Sequence, residues 1–296
     1  MEESKLKPNT TETLTVTAID AFGNKATAKQ NIRILDQKMI SKSFGDASKP
    51  LSDQINQYLS DHGMNSSQVA IAYQNLETKE TYYLNENNWM VAGSTYKLPL
   101  NMLFEDAINQ GIYQTDSHLL YCSYCYEDIK GTIDHDYGVG SYIPLDTLMK
   151  NSIVDSCNTA SHILFETLGG WSCYREKAKQ YSPAIFYSVD YAVSNDVSAA
   201  YLMNILEVLY EHQEDYNIVL NYMKEADPNA YLKQYVHYPI AQKYGEYEGA
   251  QNVAGIVYAP TPYAVVILTD NAPNEQTTVG ELSALIANYH VHQETH

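Results

Sequence analysis

The stretch Ala92-Gly93-Ser94-Thr95-Tyr96-Lys97-Leu98-Pro99-Leu100 constrains this chain most. It places a serine and a lysine three residues apart at the head of an apolar run that reads as a helix to about Asn109, stopped by Gly111. In a helix, one turn brings Lys97 onto the face of Ser94. A serine hydroxyl is a weak nucleophile at neutral pH unless a base takes its proton, and a lysine amine serves once burial or a nearby cation lowers its pKa. Ser94 is therefore a candidate nucleophile and Lys97 its candidate base. By itself the spacing is common, and its plainer reading is a capped surface helix.

Two later stretches add to it: Asp155-Ser156-Cys157-Asn158-Thr159-Ala160 and Gln242-Lys243-Tyr244-Gly245-Glu246. In that order the three resemble the Ser-x-x-Lys, Ser-x-Asn and Lys-Thr-Gly signatures of the penicillin-recognising serine hydrolases, the class A β-lactamases and penicillin-binding proteins. The resemblance implies acyl transfer. Ser94 would attack a carbonyl and Lys97 would accept its proton. Ser156 would pass a proton toward the leaving nitrogen, Asn158 would bond Lys97 and the substrate amide, and Lys243 would lower neighbouring pKa values and attract a substrate carboxylate. The backbone N–H groups of Ser94 and Glu246 would hold the oxyanion. Each residue has a plainer reading: Ser156 and Asn158 as helix caps, Lys243 as a solvated residue of an edge strand. Three ordered matches favour the catalytic one.

The chain departs from the family pattern twice. Tyr244 stands where Thr or Ser is usual, so recognition of a substrate carboxylate by a small hydroxyl is in doubt and the mouth of the site is expected to be narrower. The Glu-x-x-Leu-Asn of the class A Ω-loop, whose Glu activates the hydrolytic water, is absent between residues 159 and 242. Glu166 follows the second motif too closely to be that residue, and Glu176 and Asp190, nearest the expected place, lack its context. An acyl-enzyme that forms and then persists is expected.

With 296 residues, 45% of them hydrophobic, the chain can bury a large core. A net charge of −18 with only 18 Lys and Arg repels polyanions, so nucleic acid is not an expected partner. No apolar run is long enough for a membrane span, and the start, Met1-Glu2-Glu3-Ser4-Lys5, lacks the apolar core of a signal peptide. The expectation is a secreted or cell-surface monomer without cofactor or metal, an excised piece of a longer exported chain. Its partner would be a small-molecule or peptidoglycan-derived substrate. Cys122, Cys125, Cys157 and Cys173 are too few for a disulfide framework and lack the second pair a zinc site needs, which leaves ordinary thiols or one disulfide. His290, His292 and His296 read as a frayed polar tail.

Residues 10 to 36 alternate about the turn Phe22-Gly23-Asn24 and read as a β-hairpin. This hairpin resembles the last two strands of a bacterial immunoglobulin-like repeat, or else is a ribbon packed on the main domain. The expected division is 1–36 hairpin, 37–48 linker and 49–296 catalytic domain. Within the last, a helix from Leu51, strands 69–73 and 81–84, the Ser94 helix, an irregular tyrosine-rich stretch 112–142, helices at 144–150, 159–168, 197–210 and 218–224, strands 240–247, 253–258 and 263–269, and a closing helix 279–289 follow in order. Strands at both ends with helices between imply an α/β (α+β) fold. Its sheet would be mostly antiparallel and flanked by helices, like that of the β-lactamases and D,D-peptidases. Two other readings are open: a D,D-carboxypeptidase or esterase on peptidoglycan stems, and a non-catalytic surface binding module.

Overall fold

The computed structural model describes residues 11–19, 22–33, 39–127 and 132–294. In chain order the elements are β1 (Thr11–Ile19), β2 (Lys25–Arg33), α1 (Leu51–Asp61), β3 (Val69–Asn75), β4 (Thr81–Leu84), β5 (Met90–Val91), α2 (Lys97–Asn109), β6 (His118–Leu120), α3 (Ile133–Asp136), β7 (Tyr142–Pro144), α4 (Leu145–Ile153), α5 (Asn158–Thr167), α6 (Trp171–Ala178), β8 (Asp196–Val197), α7 (Ala199–Glu211), α8 (Asn217–Glu225), β9 (Ile240–Tyr247), β10 (Ala250–Val257), β11 (Tyr263–Thr269) and α9 (Glu275–Glu294).

The main sheet runs β4-β3-β11-β10-β9, antiparallel throughout, so strands from the two ends of the chain meet at β3 and β11 with Ile71 opposite Ile267. Its central strands are buried on both faces, and their alternation sorts side chains by helix layer. Val69, Ile71, Tyr73, Val265 and Ile267 face α1 and α9. Ala70, Ala72, Ala254, Ala264 and Val266 face the layer built from α2, α4, α5, α7 and α8. The small alanines let that larger layer sit close to the strands, and each fully buried Val, Ile or Leu contributes about 1.5–3 kcal/mol.

The predicted antiparallel α/β sandwich is the observed architecture. The stretch 112–142, expected to be irregular, carries the short pair β6–β7, with Leu119 opposite Ile143, and the helical turn α3. Each is too brief for a period to show in the sequence. His290 is a clearer correction. It is no part of a frayed tail but a core residue 1% exposed, its ring between the Tyr73 hydroxyl (2.7 Å) and the Thr261 carbonyl (2.8 Å). Helix α9 continues to Glu294, past the point where His290 is held against the sheet. His296 lies outside the described residues.

Of the expected hairpin, 1–10, 20, 21 and 34–36 lie outside the described residues. The rest forms the antiparallel ribbon β1–β2, with Thr15 opposite Lys29. Of the expected linker, 37 and 38 lie outside the described residues. The remainder runs against the main domain, where Ile40 bridges Val236 and Ser41 N–H donates to the Tyr235 carbonyl (2.9 Å). Cys122 and Cys125 are joined in a disulfide, while Cys157 is buried and Cys173 exposed as thiols. Among the described residues no helix is long and apolar enough to cross a membrane, and no cluster of His, Cys, Asp or Glu could hold a metal ion.

Candidate active site

Gly93 to Tyr96 form a single 3-10 turn that leads into α2 at Lys97, so Ser94 lies one turn before the lysine at the edge of the core. Pro99 falls in the first turn of α2, where a missing N–H removes no helical bond. Ser94 is half-buried and Lys97 fully buried. An amine taken out of water is tolerated only with close acceptors. Lys97 Nζ finds them on the second motif: it donates to the Ser156 carbonyl (2.6 Å) and Asn158 Oδ1 (2.7 Å) and stands 3.3 Å from Ser156 Oγ.

Ser156 presents its carbonyl and its hydroxyl to the same amine because its backbone is left-handed, with φ +55°. That conformation costs a non-glycine residue roughly 1–2 kcal/mol. Asn158 opens α5 just after it, where the buried Cys157 caps the helix through Sγ. From the third motif, Lys243 is fully buried on β9, not solvated on the edge strand, and its Nζ lies 3.1 Å from Ser156 Oγ. Ser156 Oγ thus sits between two buried amines. Burial first, then Lys97, holds the Lys243 ammonium well below the usual lysine pKa, with Glu246 and Asp227 partly opposing them.

Gly245 explains how β9 approaches the serine so closely. A Cβ there would stand 2.6 Å from the Ser94 nitrogen, and one on Gly93, at φ +54°, would stand 2.6 Å from the Glu246 nitrogen. Only glycines at both positions allow this backbone contact, which brings the Ser94 and Glu246 amides to one junction. Tyr244 stacks on Tyr231 (centroids 4.9 Å apart) and covers Lys243 Nζ at 4.0 Å. The bulky residue of the third motif is thus a wall of the site. All eight residues singled out from the sequence, Ser94, Lys97, Ser156, Asn158, Lys243, Tyr244, Gly245 and Glu246, come together here.

Several supporting residues escaped the sequence reading. Asn101 donates to the Lys97 carbonyl (2.7 Å) and to Ser152 Oγ (2.9 Å), and Ser152 meets Ser161 (2.9 Å), so a buried polar chain ties α2 to α4 and α5 behind the lysine. Asn101 lies four residues past Lys97 on the same face, a signal that helical spacing carried. No local signal marked Asn252, whose Nδ2 donates to the Val91 and Ala92 carbonyls (2.7 and 3.2 Å) and fixes the approach to Ser94 from β10.

The segment after α5 forms the other flank. Arg175, fully buried, donates to the Tyr191 (2.9 Å) and Asp196 (2.5 Å) carbonyls, and Asn195 Nδ2 donates to the Gly93 carbonyl (3.1 Å). Its acids turn elsewhere, Glu176 binding Lys179 at the surface (2.7 Å) and Asp190 being exposed, while Glu166, on α5 itself, lies 3.9 Å from His162.

Solved structures share this architecture at low identity. A β-lactamase from Chitinophaga pinensis DSM 2588 is 20% identical over 82% of this chain and 99% of its own, with a TM-score of 0.69. A structure of PBP-A is 18% identical over 82% and 96%, with a TM-score of 0.70. The TLA-3 extended-spectrum β-lactamase is 19% identical over 81% and 98%, with a TM-score of 0.71. No curated protein sequence matches the chain. The model of the β-lactamase enzyme family matches residues 50–290, a span that contains the sheet, both helix layers and every residue of the Ser94 cluster, and the chain belongs to that family.

Proposed function

We propose that this protein is a serine hydrolase that forms an acyl-enzyme at Ser94 with β-lactams or cell-wall peptide amides and releases the acyl group slowly. The observation that carries the reading is the hydroxyl of Ser156 held between the amines of Lys97 and Lys243, at 3.3 and 3.1 Å, with Lys97 itself one helical turn from Ser94. Ser94 Oγ attacks the carbonyl carbon while its proton passes to Lys97. Ser156 then carries a proton to the leaving nitrogen, and Lys243, its charged form disfavoured by burial, completes the relay. The Ser94 and Glu246 N–H groups face the developing oxyanion, each contributing about 3 kcal/mol in the transition state.

Slow deacylation is supported by the placement of Glu176 and Asp190 on the second flank and of Glu166 on α5, each turned to another partner or to solvent. A PBP-A variant in an acyl-enzyme complex with penicillin G shares the fold. The Cys122–Cys125 disulfide supports an oxidising, exported setting. Intact-mass analysis after penicillin G treatment tests the reading. A stable adduct mapping to Ser94, absent in Ser94→Ala, with little nitrocefin turnover, is the expected result. No adduct, together with identical behaviour of the Ser94→Ala protein toward every ester and amide, would sink it. A D,D-carboxypeptidase acting on peptidoglycan stems uses the same groups and is recognised by release of D-alanine from a pentapeptide.

A further inference from the structure

β9 is an edge strand of the main sheet, and among the described residues no strand lies on its outer side to fix residues 244–246 against the Ser94 turn. The loop between α8 and β9 reaches them instead, in a circuit of contacts that starts and ends on β9. Gln242, fully buried on the strand, accepts the Leu232 N–H at Oε1 (3.0 Å) and donates through Nε2 to the Asp227 carbonyl (2.9 Å). Helix α9 adds a further tie, Ser283 Oγ donating to the Leu232 carbonyl (3.2 Å). These bonds fix Tyr231 beside the strand, 5% exposed and in left-handed backbone at φ +56°. A bulky residue rarely takes that conformation, which persists only where the surroundings enforce it.

The Tyr231 side chain returns to β9 at two points. Its ring stacks on Tyr244, with centroids 4.9 Å apart and 19° between the planes, and its hydroxyl donates to the Glu246 carboxylate. Glu246 is exposed and lies near the end of the edge strand. Its nitrogen nevertheless sits at the serine turn, 2.6 Å from where a Cβ on Gly93 would stand. A donor that is to meet a developing oxyanion has to be held to within about 0.5 Å of its productive place. The hydroxyl bond from a buried, enforced tyrosine is what fastens this exposed residue.

Resting on the Ser94 acyl-transfer reading, we propose that Tyr231 is a positioning residue for the reaction: its hydroxyl, bonded to the Glu246 carboxylate, holds the Glu246 N–H at the oxyanion. It acts through Glu246 and not on the substrate.

Tyr231→Phe removes the hydroxyl and keeps a ring against Tyr244. With penicillin G, the Ser94 Oγ–carbon bond forms, the lactam carbon–nitrogen bond breaks and the nitrogen takes up a proton. Adduct formation should slow by about tenfold, a part of the roughly 10²–10³-fold that loss of a whole oxyanion donor costs. A readout that a merely structural role would not move is the carbonyl stretch of the acyl-enzyme, isolated as the infrared difference between adducts of penicillin G with and without carbon-13 at the lactam carbonyl. Hydrogen bonds from the two N–H groups lower that frequency, so Tyr231→Phe should move the band upward with little change in melting temperature. Glu246→Ala, which retains the backbone N–H and the loop sequence, should give the same slowing and the same shift. The double variant should add nothing to either, since both changes break one bond. Glu246→Gln, which still accepts from Tyr231, should stay near the unaltered protein. If Tyr231→Phe does not fold, Glu246→Ala decides by the same two readouts. An unmoved band, an unchanged rate or additive effects overturns the inference and leaves acyl transfer standing. If the unaltered protein forms no adduct on Ser94, the acyl-transfer reading itself fails and the inference with it.

Discussion

The two flanks of the site are built to different standards. On one, α2, α5 and β9 bring Lys97, Ser156, Asn158 and Lys243 together in the core, joined by short hydrogen bonds and backed by Asn101, Ser152 and Ser161. On the other, residues 171–195 are anchored through Arg175 and Asn195 to backbone carbonyls, while the acids Glu176 and Asp190 face the surface. Under the proposed function, the first flank carries acylation, and the difference between the flanks bears on how the acyl group leaves. The two flanks nevertheless touch, through the Tyr174 hydroxyl on the Tyr96 carbonyl (2.6 Å) and Asn195 on the Gly93 carbonyl (3.1 Å).

The sharpest test removes the first flank's reacting groups. Ser94→Ala should abolish covalent labelling, and Lys97→Ala should slow it by roughly 10³-fold or more while leaving the serine in place, as measured by adduct formation. Equal labelling by Lys97→Ala would mean that the amine is not the base.

Next in size is the stability of the same flank at its back. Glu105 on α2 is 1% exposed and accepts the N–H groups of Ile218 (2.7 Å) and Val219 (2.8 Å) at the start of α8. Burial outweighs those two bonds and raises its pKa from 4.5 to about 7. A carboxyl raised on folding binds its proton more tightly in the folded state. Its contribution is therefore complete below pH 4.5, declines as pH rises and is gone above about 7, an effect of about 3 kcal/mol. Urea midpoints should fall between pH 5 and 8, and Glu105→Gln should flatten that fall. A flat profile in the unaltered protein would show that Glu105 ionises freely.

Gly245→Ala should cost about 1–3 kcal/mol, because its Cβ meets the Ser94 backbone and must push β9 away. Acylation should fall with it, the Glu246 N–H being moved off the junction. Thermal melts and adduct rates read both, and an alanine variant with full activity would show that the close approach is dispensable.

Lys243→Met should slow adduct formation by roughly tenfold, because it leaves Ser156 Oγ with one amine partner instead of two. Unchanged adduct rates would show that Lys243 takes no part in the proton transfer. The smallest effect is expected on the second flank: Glu176→Gln and Asp190→Asn should leave the lifetime of the penicillin adduct within about twofold. A tenfold longer lifetime in either would reveal the missing base and end the contrast between the flanks.

Residue type and spacing marked Ser94, Lys97, Ser156, Asn158 and Lys243, and the apolar pattern placed α2, α5, α7 and strands β9 to β11, because a helix buried on one side repeats its apolar residues at a fixed interval and a strand buried on both faces reads as a short apolar run. Period failed for β6, β7 and α3, which are too short for a repeat to stand out, and for His290, whose place between Tyr73 and Thr261 depends on partners far along the chain. The chemistry of the site was thus written locally, but its environment was not. That Ser156 lies between two amines, that Lys243 is buried and its charge disfavoured, that Gly245 must lack a side chain and that Tyr244 stacks on Tyr231 are consequences of bringing distant segments within a few ångströms. Desolvation and Coulomb forces depend on those separations, which only the tertiary structure sets.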